Sequence, residues 1–508
     1  MQSISGEVLL QAYKKQIEAG NVSFIHRARG NEIDRIVALV QQLWEIFNKA
    51  GAEQVNLNWH ECHQRCTELW RLLTRLALKD IDDTSKGNAR LAEFLVEATK
   101  FEEVLYGLED YYRDHTLHSL WVYLLGDYLL RDMLKPTYQD LNWYLFNDVE
   151  DDPDWKHLKR QAKEKESKLC AKVNEKKDAV WCITALCHDL GYPLSKLGEI
   201  NKRVGKVLDF FDLHGFDRVG YNLKVEHQYL AKQFLELMAD DMRIQANAEE
   251  KDVEIKLFRD DGSYWRFCDS LERREHGTLS AFILYKLLGI FGDATLRGPA
   301  VDWGLDDEEA EDTLIRGTIL YAIAQHELHF NWADELGSLA DVLLLADEAE
   351  EFARWGRPIK TRVYLPTLAE VSLGVDYKPA RGKNQHDVAI SINYKVHKEH
   401  DIKRFFARKA KRLTEVYHLR PTEVAGRAHI GRPGESRFPK ITSLRMIANN
   451  QDTELMLELD RESIRSNLPS QENDKIMSAH EMQVIDDELY VIDGNLEEPL
   501  TKWLKLEN

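Results

Sequence analysis

Over most of the chain the apolar positions recur with a helical period. Ile33, Ile36, Val37, Val40, Leu43, Trp44 and Phe47 follow one another at helical spacing, which places them on one face of a long helix. Similar patterns over 67–78, 91–108, 117–134, 178–190, 225–238, 279–291, 313–328 and 338–355 predict an α-helical region reaching to about residue 360. After the WGRP at 355–358 the period changes. Val388, Ile390, Ile392, Tyr394 and Val396 alternate with polar residues or alanine, and Leu455, Leu457 and Leu459 do the same, as half-buried strands require. Between them, DIKRFFARKAKRLTEVYHL (401–419) is helical in pattern, with Ile402, Phe406, Leu413 and Val416 inward. A strand, strand, helix, strand, strand order predicts a small α+β domain over about 361–465; the tail beyond it has no clear pattern.

These changes divide the chain into an amino-terminal helical region (1–104), a helical domain (105–360) and a carboxy-terminal α+β domain with its tail (361–508). The densely charged stretch 148–178 reads as a solvated helical excursion inserted between two core helices.

Composition narrows the functional classes. In 508 residues, 68 Lys and Arg stand against 87 Asp and Glu, a formal net charge of −19. Such a surface repels nucleic acid and anionic membranes, and the basic helix with Lys403, Arg404, Arg408, Lys409, Lys411 and Arg412 is the one local patch that would meet a polyanion. A solvated helix face is the plainer reading of that patch. Six cysteines and an amphipathic, mixed-charge beginning argue against a disulfide framework and a signal segment, and no apolar run nears the roughly 18 residues that span a bilayer. The expectation is a cytoplasmic protein.

The stretch ITALCHDLGYP (183–193) runs an apolar helix straight into His188 and Asp189, with Gly191 read as the helix terminator and Pro193 as a residue that cannot continue it. A buried carboxylate beside an imidazole needs a compensating charge, and a metal ion would supply it. Four further ligand-type residues stand where a bland sequence would place leucine. His118 is on the buried face of its helix, His276 opens an apolar helix, His326 extends the stripe Ile315, Ile319, Ala322, and Asp347 follows directly on LLLA. Taken singly, His118, His188 and His326 read as core residues satisfied by backbone; His276 could instead be a capping or substrate-contacting residue, and His329 could replace His326, whose apolar stripe makes it the preferred ligand. The cluster NWHECHQRC (58–66) carries His60, Cys62, His63 and Cys66, but four ligands this close in one segment hardly converge on one ion, so Cys62 and Cys66 read as buried small residues.

The order His118, His188-Asp189, His276, His326, Asp347 resembles the H…HD…H…H…D pattern of the HD-domain superfamily of metal-dependent phosphohydrolases. The local wording HS at 118–119, HDLGYP at 188–193, HG..SA at 276–281 and ADE followed by WGRP at 346–358 is similar as well, and the resemblance covers roughly 105–358. The chain departs from the simplest members in its long gap between His118 and His188, and in Gln325-His326-Glu327 where some relatives carry paired histidines. The resemblance implies an HD-type helical bundle in which His118, His188, Asp189 and Asp347 hold one divalent ion. Asp189 would bridge to a second ion held also by His276 and His326. Imidazole and carboxylate ligands suit Mn, Fe, Mg, Ni or Zn alike.

A binuclear centre would hydrolyse a phosphate ester or anhydride, with a nucleotide as the expected substrate. His115, one turn before His118, is a candidate general acid, and Arg113 and Lys196 are candidate phosphate contacts whose plain reading is surface charge. Two other classes stay open. One is a nucleotide-sensing module whose metal centre signals through the carboxy-terminal domain without turnover; the other is a helical scaffold without metal. Deoxynucleotides, cyclic nucleotides, alarmone-type tetraphosphates, monophosphates and nucleic-acid ends are not distinguished by any motif.

Overall fold

The computed structural model describes residues 2–53, 59–81, 87–105, 111–133, 174–210, 225–239, 242–248, 251–257, 263–288, 307–327, 339–352, 354–356, 369–379, 386–397, 401–416, 440–460, 463–466, 475–478, 482–485, 488–493 and 496–499. Most of the described residues are helical. Most of the charged stretch 148–178, as well as His329, lies outside the described residues.

A short strand β1 (Gln2–Ile4) leads into α1 (Gly6–Glu18), α2 (Ser23–His26), α3 (Gly30–Glu53), α4 (Trp59–Ile81) and α5 (Asn88–Leu105). Strand β2 (Tyr111–Arg113) precedes α6 (His115–Tyr128), which runs into a π-helical turn (Leu129–Met133). Then come α7 (Lys177–Cys187), α8 (Tyr192–Ser195), α9 (Leu197–Asp209) and α10 (Val225–Ala239). A hairpin of β3 (Met242–Ala248) and β4 (Lys251–Leu257) separates these from α11 (Ser263–Arg273), α12 (His276–Leu287), α13 (Asp307–Gln325) and α14 (Leu339–Ala349).

Three of these helices, α6, α7 and α14, are apolar nearly all round, and their side chains are buried on every face. A helix of that composition is stable only inside other helices. Accordingly α6 packs on α1, α4, α7 and α14, while α7 packs also on α4 and α13. Trp121 and Trp181, contributed by α6 and α7, and Trp70 of α4 are almost wholly buried. At roughly 200 Å² of surface and 25 cal/mol per Å², each contributes on the order of 5 kcal/mol before conformational entropy is subtracted. Two of them are also oriented by their indoles: Trp181 Nε1 donates to the Tyr123 carbonyl at 3.1 Å and Trp70 Nε1 to the Leu186 carbonyl at 2.8 Å. Leu186 is in the last turn of α7, where a carbonyl has no helical partner, so Trp70 pins the chain just before His188. Cys62 and Cys66 are buried beside it in α4, as their spacing predicts.

Strand β5 (Arg354–Gly356) pairs antiparallel with β2, Arg113 opposite Arg354, which ties the chain leaving α14 to the chain entering α6. Beyond it lie β6 (Ala369–Pro379), β7 (His386–Val396), α15 (Ile402–Val416), β8 (Lys440–Asn449), β9 (Glu454–Asp460), β10 (Ser463–Ser466) and β11 (Lys475–Ser478). These strands form a seven-stranded sheet in the order β1-β6-β7-β8-β9-β10-β11. Val388, Ile390, Ile392, Tyr394 and Val396 are all buried, and so are Leu455, Leu457 and Leu459, so the alternation identifies the inward face correctly. Only β7 and β8 run parallel, which requires a crossover, and α15 supplies it with Ile402, Phe406 and Leu413 buried. The sheet is wider than the four strands expected. One extra strand comes from the far end of the chain: β1 pairs antiparallel with β6, Ser3 opposite Ser372. Another three-stranded sheet contains β12 (Met482–Ile485), β13 (Glu488–Asp493) and β14 (Leu496–Pro499). Nearly all the buried apolar residues described, from Ile4 to Leu459, form one connected core. Among the described residues, no helix is long and apolar enough to cross a membrane.

Candidate metal centre

The six ligand-type residues singled out in the sequence meet at one place in the bundle core. His118 comes from the first turn of α6, His188 and Asp189 from the end of α7, His276 from the start of α12, His326 from the end of α13 and Asp347 from α14. His118, His188 and His326 are 1% exposed or less.

The local chain at His188 differs from the expectation. Helix α7 ends at Cys187 and His188 caps it, so His188 and Asp189 stand just past the last helical turn. Gly191 is not a left-handed terminator: its φ is −82° and it caps the N-terminus of α8, where Pro193 is accommodated in the first turn. Glycine is required there for space. A Cβ on Gly191 would stand 2.5 Å from the His276 carbonyl oxygen and 2.6 Å from Leu279 Cβ. Its N–H donates to Ser280 Oγ at 2.7 Å, and that hydroxyl in turn donates to the His276 carbonyl at 2.7 Å. The glycine therefore sets how closely α12, and with it His276, approaches Asp189.

All four histidines are held by Nδ1. His188 Nδ1 donates to the Ala185 carbonyl at 2.8 Å and His326 Nδ1 to the Ile323 carbonyl at 2.6 Å. His118 Nδ1 meets Glu350 Oε2 at 2.5 Å, and His276 Nδ1 meets Glu327 Oε1 at 2.6 Å. A carbonyl or carboxylate oxygen can only accept, so each Nδ1 carries the proton and each Nε2 is turned toward the centre.

The four Nε2 atoms converge on two carboxylates. Asp347 Oδ1 is 2.9 Å from His118 Nε2. The two oxygens of Asp189 divide the histidines: Oδ2 lies 3.5 Å from His118 Nε2 and 3.4 Å from His188 Nε2, while Oδ1 lies 3.1 Å from His276 Nε2 and 4.0 Å from His326 Nε2. The Nε2 atoms of His118 and His188 are 3.3 Å apart, and those of His276 and His326 are 3.2 Å apart. Two sets, His118, His188 and Asp347 on one side and His188, Asp189 and His326 on the other, have all their donor atoms within 4.8 Å of one another. These buried groups could hold a metal ion. The donor chemistry fits one, because imidazole nitrogens and the oxygens of two carboxylates are gathered in a buried core, where a cation would relieve the repulsion between the carboxylates.

The titration of the groups follows the same crowding. Burial opposes ionisation of Asp189, yet His188 and His276 hold its carboxyl well below the usual carboxylate range. For Asp347, burial is likewise outweighed, first by Arg113 and then by His118. Burial lowers His276, but Glu327 and Asp189 on its two nitrogens push it up to about 10. His326 has no such carboxylate on Nδ1, and burial, with His188 and His276 nearby, brings it down to about 4.

Arg113 is no surface charge. Its Nη1 donates to Asp347 Oδ1 at 2.9 Å and lies 3.2 Å from His118 Nε2, and its Nη2 donates to the Glu350 carbonyl at 3.3 Å. The β2–β5 pairing brings it there. His115 is buried and stacks on Tyr192, with ring centroids 3.7 Å apart. Burial lowers its pKa to about 3, so at neutral pH it has no imidazolium proton to give, and the role of general acid finds no support in its titration. Lys196 Nζ sits 5.2 Å from the centre of the Tyr192 ring, which in turn packs T-shaped with the His276 ring at a centroid separation of 5.5 Å.

Sequence reasoning passed over Glu350 and Glu327 as supports. The signal was present: Glu350 is three residues after Asp347, and Glu327 directly follows His326. It also left the basic helix outside the site. Lys409 is buried and Arg408, Lys409 and Arg412 are engaged by Glu348 and Glu351 of the α14 end, whereas Lys403 and Arg404 are exposed. Searches against protein-family models, curated proteins and solved structures find no match for this chain.

Proposed function

We propose that this chain is an HD-type metal-dependent phosphohydrolase acting on a nucleotide or related phosphate ester or anhydride. The observation that carries the reading is the common orientation of four imidazoles, each fixed through Nδ1 and each presenting Nε2 to Asp189 and Asp347.

In this reading His118, His188, Asp189 and Asp347 hold one divalent ion, and Asp189, His276 and His326 hold a second. Such ions, when bound, lower the pKa of a coordinated water and neutralise charge that develops on phosphoryl oxygens. The two oxygens of Asp189 already face different histidine pairs, which suits a bridging carboxylate. Glu350 and Glu327 keep the His118 and His276 rings in the tautomer and orientation that ligation needs. Arg113 carries N–H donors beyond those spent on Asp347 and the Glu350 carbonyl, in a planar fork that matches a phosphate, and would orient the substrate. Lys196 adds positive charge beside Tyr192.

The test is elemental analysis of untagged protein, then a phosphate-release screen over nucleotides with Mn²⁺ for wild type and Asp189→Ala. About two ions per chain, with release that disappears in the variant while its circular dichroism is retained, are expected. Metal-free wild-type protein with no release would refute the reading.

A further inference from the structure

The centre is gripped from outside the helical bundle. Asp347 is followed in sequence by Glu348, Glu350 and Glu351, all buried. Glu350 turns toward His118, but Glu348 and Glu351 turn the other way, onto α15 of the sheet region. Arg412 Nε donates to Glu348 Oε1 at 2.6 Å, and Lys409 Nζ pairs with Glu351 Oε1 at 2.6 Å. Lys409 Nζ also donates to the Glu348 carbonyl at 2.6 Å, joined there by Tyr394 Oη of β7 at 3.0 Å. That carbonyl lies in the last turn of α14, where it lacks a helical partner and where cations are favoured by the helix dipole.

Arg412 does more than close one ion pair. Its Nη2 donates to the His326 carbonyl at 3.5 Å, so one guanidinium touches the residue beside Asp347 and the backbone of His326. These are the ligand-bearing ends of α14 and α13: Asp347 Oδ1 meets His118 Nε2 at 2.9 Å, and His326 Nε2 lies 4.0 Å from Asp189 Oδ1. We infer that Arg412 is a positioning residue: it fixes the separation of the Asp347 and His326 halves of the metal centre and so makes that centre depend on the docking of α15. The inference rests on the metal-centre reading above. Because α15 is the crossover between parallel β7 and β8, a shift of the sheet region moves Arg412 and reaches the ligands without any contact between sheet and ion.

The experiment titrates the full chain with Mn²⁺ alone, by calorimetry and by the electron paramagnetic resonance of the bound ion. Wild type is compared with Arg412→Ala, Arg412→Lys, Glu348→Gln, the double variant Glu348→Gln/Arg412→Ala, and Lys403→Ala as an exposed control on the same helix. Arg412→Ala is expected to weaken Mn²⁺ binding at least about tenfold and to change the spectrum, Arg412→Lys to recover part of both, and Lys403→Ala to leave both unchanged. The double variant, which leaves no unpaired buried charge, should bind no more weakly than Arg412→Ala, and it carries the test if that single variant fails to fold. Wild-type binding with Arg412→Ala unchanged in affinity and spectrum would overturn the inference while leaving the metal centre standing. Absence of Mn²⁺ binding in the wild type would bring down the metal centre itself, and the inference with it.

Discussion

His118 Nδ1 and Glu350 Oε2 lie 2.5 Å apart, and neither side chain has any exposed surface. The carboxylate fixes which nitrogen of His118 carries its proton, and therefore which one faces Asp347. Glu350→Gln keeps the shape and removes the charge. It is expected to weaken Mn²⁺ binding by about 10- to 100-fold with little change in helical content. Isothermal titration against wild type checks this, and equal affinities would remove Glu350 from the support of the site.

Chelation should destabilise the protein through the ligand cluster alone. Metal at about 100 times its dissociation constant stabilises a folded site by about 2.7 kcal/mol. The melting temperature of wild type is therefore expected to fall in EDTA and to return on adding excess Mn²⁺, whereas Asp189→Asn should melt at one temperature in both. A metal-independent melting temperature for wild type would count against a preformed site.

Gly191→Ala tests the close approach of α12. The backbone angle permits alanine, but its Cβ would stand 2.5 Å from the His276 carbonyl oxygen. Chain segments must separate, and a destabilisation of about 1–3 kcal/mol in urea unfolding is expected, together with weakened metal binding as His276 is drawn from Asp189. Stability and binding equal to wild type would show that the α8–α12 contact relaxes freely.

Asp114 offers a pH test one turn away from His118. It caps α6 by accepting from the Leu117 N–H at 3.0 Å and lies 3.0 Å from His63 Nδ1. Burial raises its carboxyl, but the His63 hydrogen bond and charge outweigh this and the net shift is downward. A depressed folded-state pKa stabilises the protein above the unfolded value, near pH 4, and that stability is lost as pH falls through the folded value. Asp114→Asn is expected to cost about 1–3 kcal/mol at pH 7, a difference that narrows below about pH 4. Denaturant titrations across that range check the sign; a difference that stays constant down to pH 3 would assign the effect to packing.

Much of this was legible in one dimension. The apolar runs locate α6, α7, α12, α13 and α14, and in α6, α7 and α14, which are buried nearly all round, the sequence leaves almost no polar face. For the same reason His118, His188, Asp189, His276, His326 and Asp347 stood out: each interrupts an apolar environment in which an unsatisfied polar group is costly. The alternation over 388–396 identified the inward face of β7 because side chains in a strand change sides at every residue.

What the chain's order alone determined, then, was which apolar stretches are buried and which residues of metal-ligand type stand within them. Which of them meet was decided by the tertiary structure. No local pattern announces that β1 pairs with β6, that β2 and β5 swing Arg113 onto Asp347, or that Gly191 is needed for room and not for its φ. The basic helix shows the difference most plainly. Arg408, Lys409 and Arg412 look like a solvated face when read along the sequence, since charge usually faces water. They lie against Glu348 and Glu351 because the crossover between two parallel strands lays α15 against the buried acidic end of α14, and only opposite charge makes that burial tolerable.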